Sequence, residues 1–245
     1  MGGEVVVVTI AVLSVVSGML GLGVAFAAIP FLGLFLHDLV HQVQPLSLLL
    51  NGVTALLAAV GFAKSGYVDW RRAITLAVVT TSFAPVGAYL VQHVEQTYVW
   101  AVYLMAVIYL TYRLFRPVGK REGGENFGLA ILLAVPISIL SGFLGVGPGF
   151  LLMPTLILVG FPPKNAAGIN AFAVTPPSFS ALIPHLGRAQ WDYSLVAPLV
   201  AAGAVGSYIG ARLTSLYMPS NRVRQLFGIL LIVVTTYKIY TLAAM

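Results

Sequence analysis

The sequence predicts an all-α polytopic membrane protein made of two repeated halves, each with about four hydrophobic segments. Three observations carry that reading. Of the 245 residues, 59% are hydrophobic and only 8% are charged, against about 25% charged in an ordinary soluble domain. Mean hydropathy is +0.97. The stretch Ser17-Gly18-Met19-Leu20-Gly21-Leu22-Gly23, with Pro30 beyond it, returns 124 residues later as Ser141-Gly142-Phe143-Leu144-Gly145-Val146-Gly147, with Pro154 beyond it.

Taken in order, the charge-free apolar windows give eight segments. The first, Val5–Leu36, and the fifth, Phe127–Phe161, each exceed 30 residues. As single helices they would reach roughly 45–55 Å, well beyond the ~30 Å of bilayer hydrocarbon. Their glycines fall near the middle, where helix propensity is poorest. Each therefore reads as a broken or re-entrant helix. The second segment, Val43–Ala63, ends at Lys64-Ser65-Gly66; the third is Ala73–Val91 and the fourth Tyr98–Leu114. A basic linker over 116–126 separates repeat 1 (1–115) from repeat 2 (127–245). The sixth segment is Asn165–Pro184, where Pro176-Pro177 should break the helix and free carbonyls near Thr175. The seventh is Tyr193–Ala211 and the eighth Gln225–Leu242.

The duplication extends beyond the glycines. Gly66 and Trp70 answer to Gly187 and Trp191, and Gly87-Ala88 to Gly210-Ala211, at offsets of 121 to 124. Charge decides the orientation of the halves. If segments one and five enter and leave on one face, eleven basic residues share one side and only Arg188 and Lys238 fall on the other. The positive-inside rule favours this arrangement over eight simple crossings. It leaves three crossings per half, an odd number, so the second half is expected to be inverted. Internal repeats of this kind mark many secondary transporters.

The net charge of +6 sits in short clusters between apolar runs, which speaks for cytoplasmic loops and against nucleic acid. Cysteine is absent, so disulfides, thiolate metal sites and cysteine nucleophiles are excluded. The N-terminus, Met1-Gly2-Gly3-Glu4, lacks a basic n-region, and the first apolar run is expected to belong to the fold.

The chemistry is expected at the two glycine breaks. A break exposes amides at a new helix N-terminus, and those donors suit an anion. Gly21, Gly23, Gly145 and Gly147 are the candidate backbone positions, lining a cavity near the membrane midplane. Ser47, Asn51 and Thr54 share one helical face of segment two, and Asn170, Thr175 and Ser178 lie in segment six; neutral donors of this kind can hold an oxyanion without a fixed charge. Arg212 is a candidate gate or counter-charge, with a snorkelling interfacial arginine as the plainer reading. His37 and His41 have i, i+4 spacing but no third ligand, so no metal and no cofactor are expected. His93 and His185 sit at segment ends, and Trp70 and Trp191 fit an interfacial aromatic belt.

The paired Ser-Gly-x-Leu-Gly-x-Gly motifs with prolines beyond them, the Gly-x-x-x-Trp turns and the late Gly210-Ala211-Arg212-Leu213 resemble the TauE/SafE sulfite exporter family of membrane permeases, over roughly residues 10 to 240. The resemblance implies a multi-pass protein of a bacterial or archaeal cytoplasmic membrane that moves sulfite, an organosulfonate or a related sulfur oxyanion. The residues by themselves imply only a small anion or polar solute. Three features depart from the family pattern: Val24-Ala25 stand where it tends to have glycines, Arg212 is answered by Tyr89, and its frequent Thr-Ser after segments one and five appears as Leu46-Ser47 and Ile169-Asn170. The expected partners are the anionic substrate, membrane lipid and a coupling ion, proton or sodium; a homo-oligomer is compatible. A passive anion channel and an intramembrane enzyme subunit are the alternatives.

Overall fold

The computed structural model describes residues 2–115, 124–190 and 193–219, with positions 222, 223, 225, 226, 229, 233 and 236 beyond them. Trp191, the linker over 116–123 and most of the eighth expected segment lie outside the described residues. Within them the chain is helical: α1 (Gly2–Leu20), α2 (Ala25–Leu32), α3 (Gln44–Ala63), α4 (Trp70–Leu90), α5 (Gln96–Phe115), α6 (Phe127–Leu144), α7 (Gly149–Leu158), α8 (Pro163–Leu182) and α9 (Tyr193–Tyr217). Among the described residues, six stretches are long and apolar enough to cross a membrane: Gly3–Leu20, Leu39–Ala63, Trp70–His93, Phe127–Leu144, Pro163–His185 and Tyr193–Tyr217.

Segments one and five are each two helices, and the repeated motif makes the break. α1 ends with the Leu22 amide bonded to Ser17 O and the Gly21 amide to Gly18 O, both at 3.1 Å. α6 ends in the same way, Val146 to Ser141 O at 3.1 Å and Gly145 to Gly142 O at 3.2 Å. This 6→1 and 5→2 pair is the Schellman closure, which requires a left-handed residue. Gly21 (φ 63°) and Gly145 (φ 69°) supply it. The first glycine of each motif serves packing instead. A Cβ on Gly18 would collide with the Ser207 backbone on α9, and one on Gly142 with the Ala84 backbone on α4.

Contacts along the helices fix their directions. Ala11 and Val15 of α1 meet Gly206, and Val15 and Met19 meet Gly210, so α1 and α9 are parallel. Ser207 donates to Thr54 O at 2.7 Å, Gly61 packs on Ala211, and Ser65 bonds Ser215 at 3.0 Å, so α3 runs with them. Ser138 donates to Thr80 O, and Gly142 packs on Ala84 and Ala88, which makes α6 parallel to α4. Trp70 meets Phe172 edge to face, and Gln92 donates to Pro184 O, so α8 is parallel to α4 as well. Between the two sets, Asn51 meets Ser178 while Tyr67 meets Lys164, so α3 and α8 are antiparallel. α1, α3 and α9 thus run one way, and α4, α6 and α8 the other.

Each broken helix turns back towards the end it came from. Asn126, which caps α6 by accepting from the Leu129 amide at 3.0 Å, bonds Val159 O, just past the end of α7, at 2.9 Å. α2 leads into the turn at 39–43, where Asp38 caps the amides of Val40 and His41, and the same turn receives Gln190 N at His41 O (2.9 Å). The charges separate with the ends. Lys64, Arg71, Arg72, Lys164, Arg212 and Arg222 flank the end where α3 and α9 finish, and Arg188 lies at the opposite end. At the basic end Arg72 joins Asp69 and Glu125.

One expectation fails outright. α8 runs unbroken through Pro176 and Pro177. Pro177 lacks the amide that would bond Ala173 O, and Thr80 of α4 donates its hydroxyl to that carbonyl at 3.0 Å. A neighbouring hydroxyl thus satisfies what the proline leaves open, which is how proline is tolerated in membrane helices. Thr175, beside it, bonds back to Ala171 O at 3.0 Å.

Candidate functional site

The two breaks meet in the interior. A Cβ on Gly149, the first residue of α7, would collide with Leu22 O in the first break. Phe26 of α2 and Phe150 of α7 stack nearly parallel, centroids 6.0 Å apart. Two asparagines, one on α3 and one on α8, touch both breaks. Asn170 donates to Gly21 O at 2.7 Å and to Gly149 O at 3.2 Å. Asn51 accepts from the Ala25 amide at 2.9 Å and donates to Ser178 Oγ at 2.9 Å. A Cβ on Gly23 or on Gly147 would collide with Asn51. These glycines are the space the asparagine occupies, and both have positive φ, 72° and 68°. Asn51, Asn170, Thr54 and Ser178 are fully buried.

The first break does not offer the unpaired amides that its sequence suggests. Thr54 Oγ1 accepts from the Val24 amide at 3.1 Å, and Asn51 takes Ala25. A buried amide left unpaired costs about 1–3 kcal/mol, so α3 supplies the oxygens that α2 lacks at its own start. The second break differs. Pro148 occupies the place of Val24 and has no amide to satisfy, and it gives α7 no side-chain cap. Among the described residues no acceptor meets the Gly149 amide. Ser178, which answers to Thr54, is left to accept from Asn51.

Several acceptors are buried without a partner: Asn170 Oδ1, Ser47 Oγ and Gln44 Oε1. Gln44 donates from Nε2 to Phe143 O at 3.2 Å, and its side chain fills the space a Cβ on Gly145 would take. It stands to the second break as Asn170 stands to the first. Sequence reasoning passed over Gln44, although a glutamine three residues before Ser47 in an apolar run is a visible signal. It also missed the Phe26–Phe150 stack, because apolar residues in an apolar run carry no mark.

Of the remaining candidates, Thr175 lies on α8, 7% exposed. Arg212 is at the basic end, where it donates to Ser65 Oγ at 2.9 Å. His37 precedes the turn that contains His41, so the two do not share a helical face; His41 pairs with Asp38 at 2.8 Å. His185 bonds Val40 O at 3.1 Å. The packing between the breaks is tight. Cavities among the described residues include one of about 400 Å³ beside His37, Asp38 and Gln92, and another of about 800 Å³ between Glu4, Val8 and Pro198.

The arrangement defines a class: a multi-pass helical membrane protein in which two interrupted helices meet in a neutral, polar, buried centre. The profile of the sulfite exporter TauE/SafE family matches residues 6–237. The chain belongs to that family of membrane transporters. It is similar to a probable membrane transporter protein, YunE, of Bacillus subtilis, 25% identical over 257 residues and covering 92% of this chain and 93% of that one. A probable membrane transporter protein of Xylella fastidiosa is 28% identical, with 91% and 89% covered. One from Methanocaldococcus jannaschii is 22% identical, with 71% and 69% covered. No solved structure matches the chain.

Proposed function

We propose that the chain is a secondary transporter for a small sulfur oxyanion, sulfite or an organosulfonate, which binds where the two breaks meet. The observation that carries this reading is the double reach of Asn51 and Asn170: Asn51 caps Ala25 and packs on Gly147, and Asn170 bonds Gly21 O and Gly149 O. A ligand that displaced either side chain would act on both halves at once.

The substrate chemistry follows from the donors. In the closed arrangement Asn51 Oδ1 and Thr54 Oγ1 occupy the Val24 and Ala25 amides. Those side-chain oxygens stand in for the oxygens of an anion. When they swing away, an oxyanion takes their place at the start of α2, where the dipole favours negative charge. The Gly149 amide and the Asn51 and Asn170 side-chain amides are the donors on the facing side. Ser47 and Thr175 flank this centre on α3 and α8. Binding by neutral donors leaves no buried fixed charge once the substrate departs.

Reciprocal packing supports an inverted repeat. Gly18 packs on Ser207 while Gly142 packs on Ala84, and Gly210 packs on Val15 while Gly87 packs on Ile139. Each helix runs opposite to its repeat counterpart: α1 to α6, α3 to α8, α4 to α9. With the basic end in the cytoplasm, one broken hairpin enters from each side of the membrane. Alternating access is then a rocking of one half against the other about the fixed centre. A proton or sodium gradient is the energy source this reading calls for.

Counterflow of labelled sulfite in proteoliposomes tests it. The expected result is saturable uptake that unlabelled sulfite or an organosulfonate on the far side stimulates. Absence of flux for sulfite, sulfonates, sulfate and thiosulfate would overturn the substrate class. Flux without trans-stimulation would point to a passive channel.

A further inference from the structure

Three basic side chains converge where α3 and α9 end and α8 begins. Arg212 donates to Ser65 Oγ at 2.9 Å, and Ser65 bonds Ser215 at 3.0 Å. Lys164 donates to Ser215 O at 3.3 Å and to the Tyr67 hydroxyl at 3.4 Å. Lys64 donates to the Tyr208 hydroxyl at 3.0 Å, one turn before Arg212. The two lysine ammoniums also rest over aromatic rings, Lys64 over Tyr208 at 5.3 Å and Lys164 over Tyr67 at 5.0 Å.

None of the three has a carboxylate partner among the described residues. The chain holds seven acidic residues. Asp69 and Glu125 pair with Arg72, and Asp38 pairs with His41. Glu4, Glu95 and Asp192 belong by sequence to the opposite end, which leaves Glu122 as the one further acid in the basic-end loops. Neutral hydroxyls, carbonyls and rings therefore hold three positive charges together, where each repels the others. Interacting like charges without a counter-ion raise the local potential and concentrate anions.

The cluster also has a position. Lys164 precedes Ala167 by one turn, and the Ala167 backbone is what a Cβ on Gly21 would strike. Asn170, on the same helix, bonds Gly21 O. Lys164 thus begins about one helical turn, ~5 Å along α8, outside the first break, and its contacts to Tyr67 and Ser215 tie it to the ends of α3 and α9.

From this geometry we infer that Lys64, Lys164 and Arg212 form an anion-binding vestibule at the basic end, taking a tetrahedral oxyanion with two negative charges or the phosphate of an anionic lipid. Ser65 accepts from Arg212 and donates to Ser215, whose own hydroxyl donates to Arg212 O at 3.1 Å, so the two serines hold the donors in place. The vestibule does not depend on the transport reading. It is tested by binding, without flux, so the two readings fail separately.

The experiment uses the purified full chain in a non-ionic detergent. One arm measures thermal stabilisation by sodium sulfate against sodium chloride at matched ionic strength. The other measures adducts of phosphatidylglycerol against phosphatidylcholine by native mass spectrometry. The variants are Lys164→Gln, Arg212→Gln and the pair together, with Arg188→Gln at the opposite end as the control. The pair should weaken binding in at least one arm by about tenfold, each single by less, and the control should leave both arms unchanged. A response in the sulfate arm identifies a free oxyanion; one in the lipid arm identifies a headgroup phosphate. Should the pair fail to fold, Ser65→Ala, which removes the hydroxyl shared by Arg212 and Ser215, should weaken the same arm about threefold. Binding in both arms that is indifferent to all of these variants would overturn the inference.

Discussion

Asn51→Ala is the perturbation that reads the site most fully. It leaves the buried Ala25 amide without the oxygen now 2.9 Å away, at a cost of about 1–3 kcal/mol. It also removes the bond to Ser178 Oγ. Ser178 keeps its own bond to Val174 O at 2.7 Å, so this second loss is about 0.5–1 kcal/mol. Together they give a destabilisation of about 1.5–4 kcal/mol. Ser47→Ala on the same helix is the contrast. Its hydroxyl is buried with no partner, so removing it should leave stability unchanged or raise it, by up to about 1 kcal/mol. The assay is reversible unfolding in mixed micelles, followed by helix content as sodium dodecyl sulfate is raised. Equal shifts for the two variants, or a shift below about 1 kcal/mol for Asn51→Ala, would refute the claim that α3 caps α2.

Three further outcomes follow from the same contacts. Gly21→Ala should cost more than Gly66→Ala in the same unfolding assay: both have positive φ, a strain of about 1–2 kcal/mol for alanine, but only Gly21 also faces a backbone, that of Ala167, while Gly66 has open space. Thr80→Val should destabilise by about 1 kcal/mol because Ala173 O loses its donor. That loss should shrink when Pro177→Ala restores the helical amide, so a double-mutant cycle should show coupling between the two; strict additivity would contradict the account of α8. At the opposite end, burial pushes the Asp38 carboxyl up, but the hydrogen bonds and charge of His41 and the Val40 amide outweigh it and hold the group below its ordinary value of 3.8. A depressed carboxylate stabilises the fold above its unfolded pKa and loses that contribution as pH falls through the folded one. Asp38→Asn should therefore flatten the loss of stability below pH 3.8 in an acid titration.

The glycine motif was legible because it repeats. Its spacing marked both breaks, and the left-handed φ at Gly21 and Gly145 accounts for why glycine stands there. The helical, multi-pass class was legible from composition, and the run lengths showed that segments one and five could not be plain crossings. The partners of the breaks were not legible. Asn51 and Thr54 looked like donors waiting for a ligand, whereas they cap α2 across 26 and 30 residues of sequence. Nothing in segment two announces which amides lie opposite. Pro176-Pro177 misled for a related reason: proline reads as a break when only its own helix is considered, and the hydroxyl that mends it comes from Thr80, 93 residues away. Gln44 was in plain view, but its role depends on Phe143 O, 99 residues away. Local pattern reached the breaks, and long-range pairing decided what they are made to do.

The central claim is that the two breaks move apart to pass a substrate. The chain has no cysteine, so a single pair can be placed cleanly at the stacked rings, as Phe26→Cys with Phe150→Cys. Labelled-sulfite counterflow is then measured with this pair tethered by a short, reducible bis-methanethiosulfonate linker. Counterflow should stop when the tether forms and return when reductant cleaves it. Undiminished counterflow across a fully tethered pair would contradict the account.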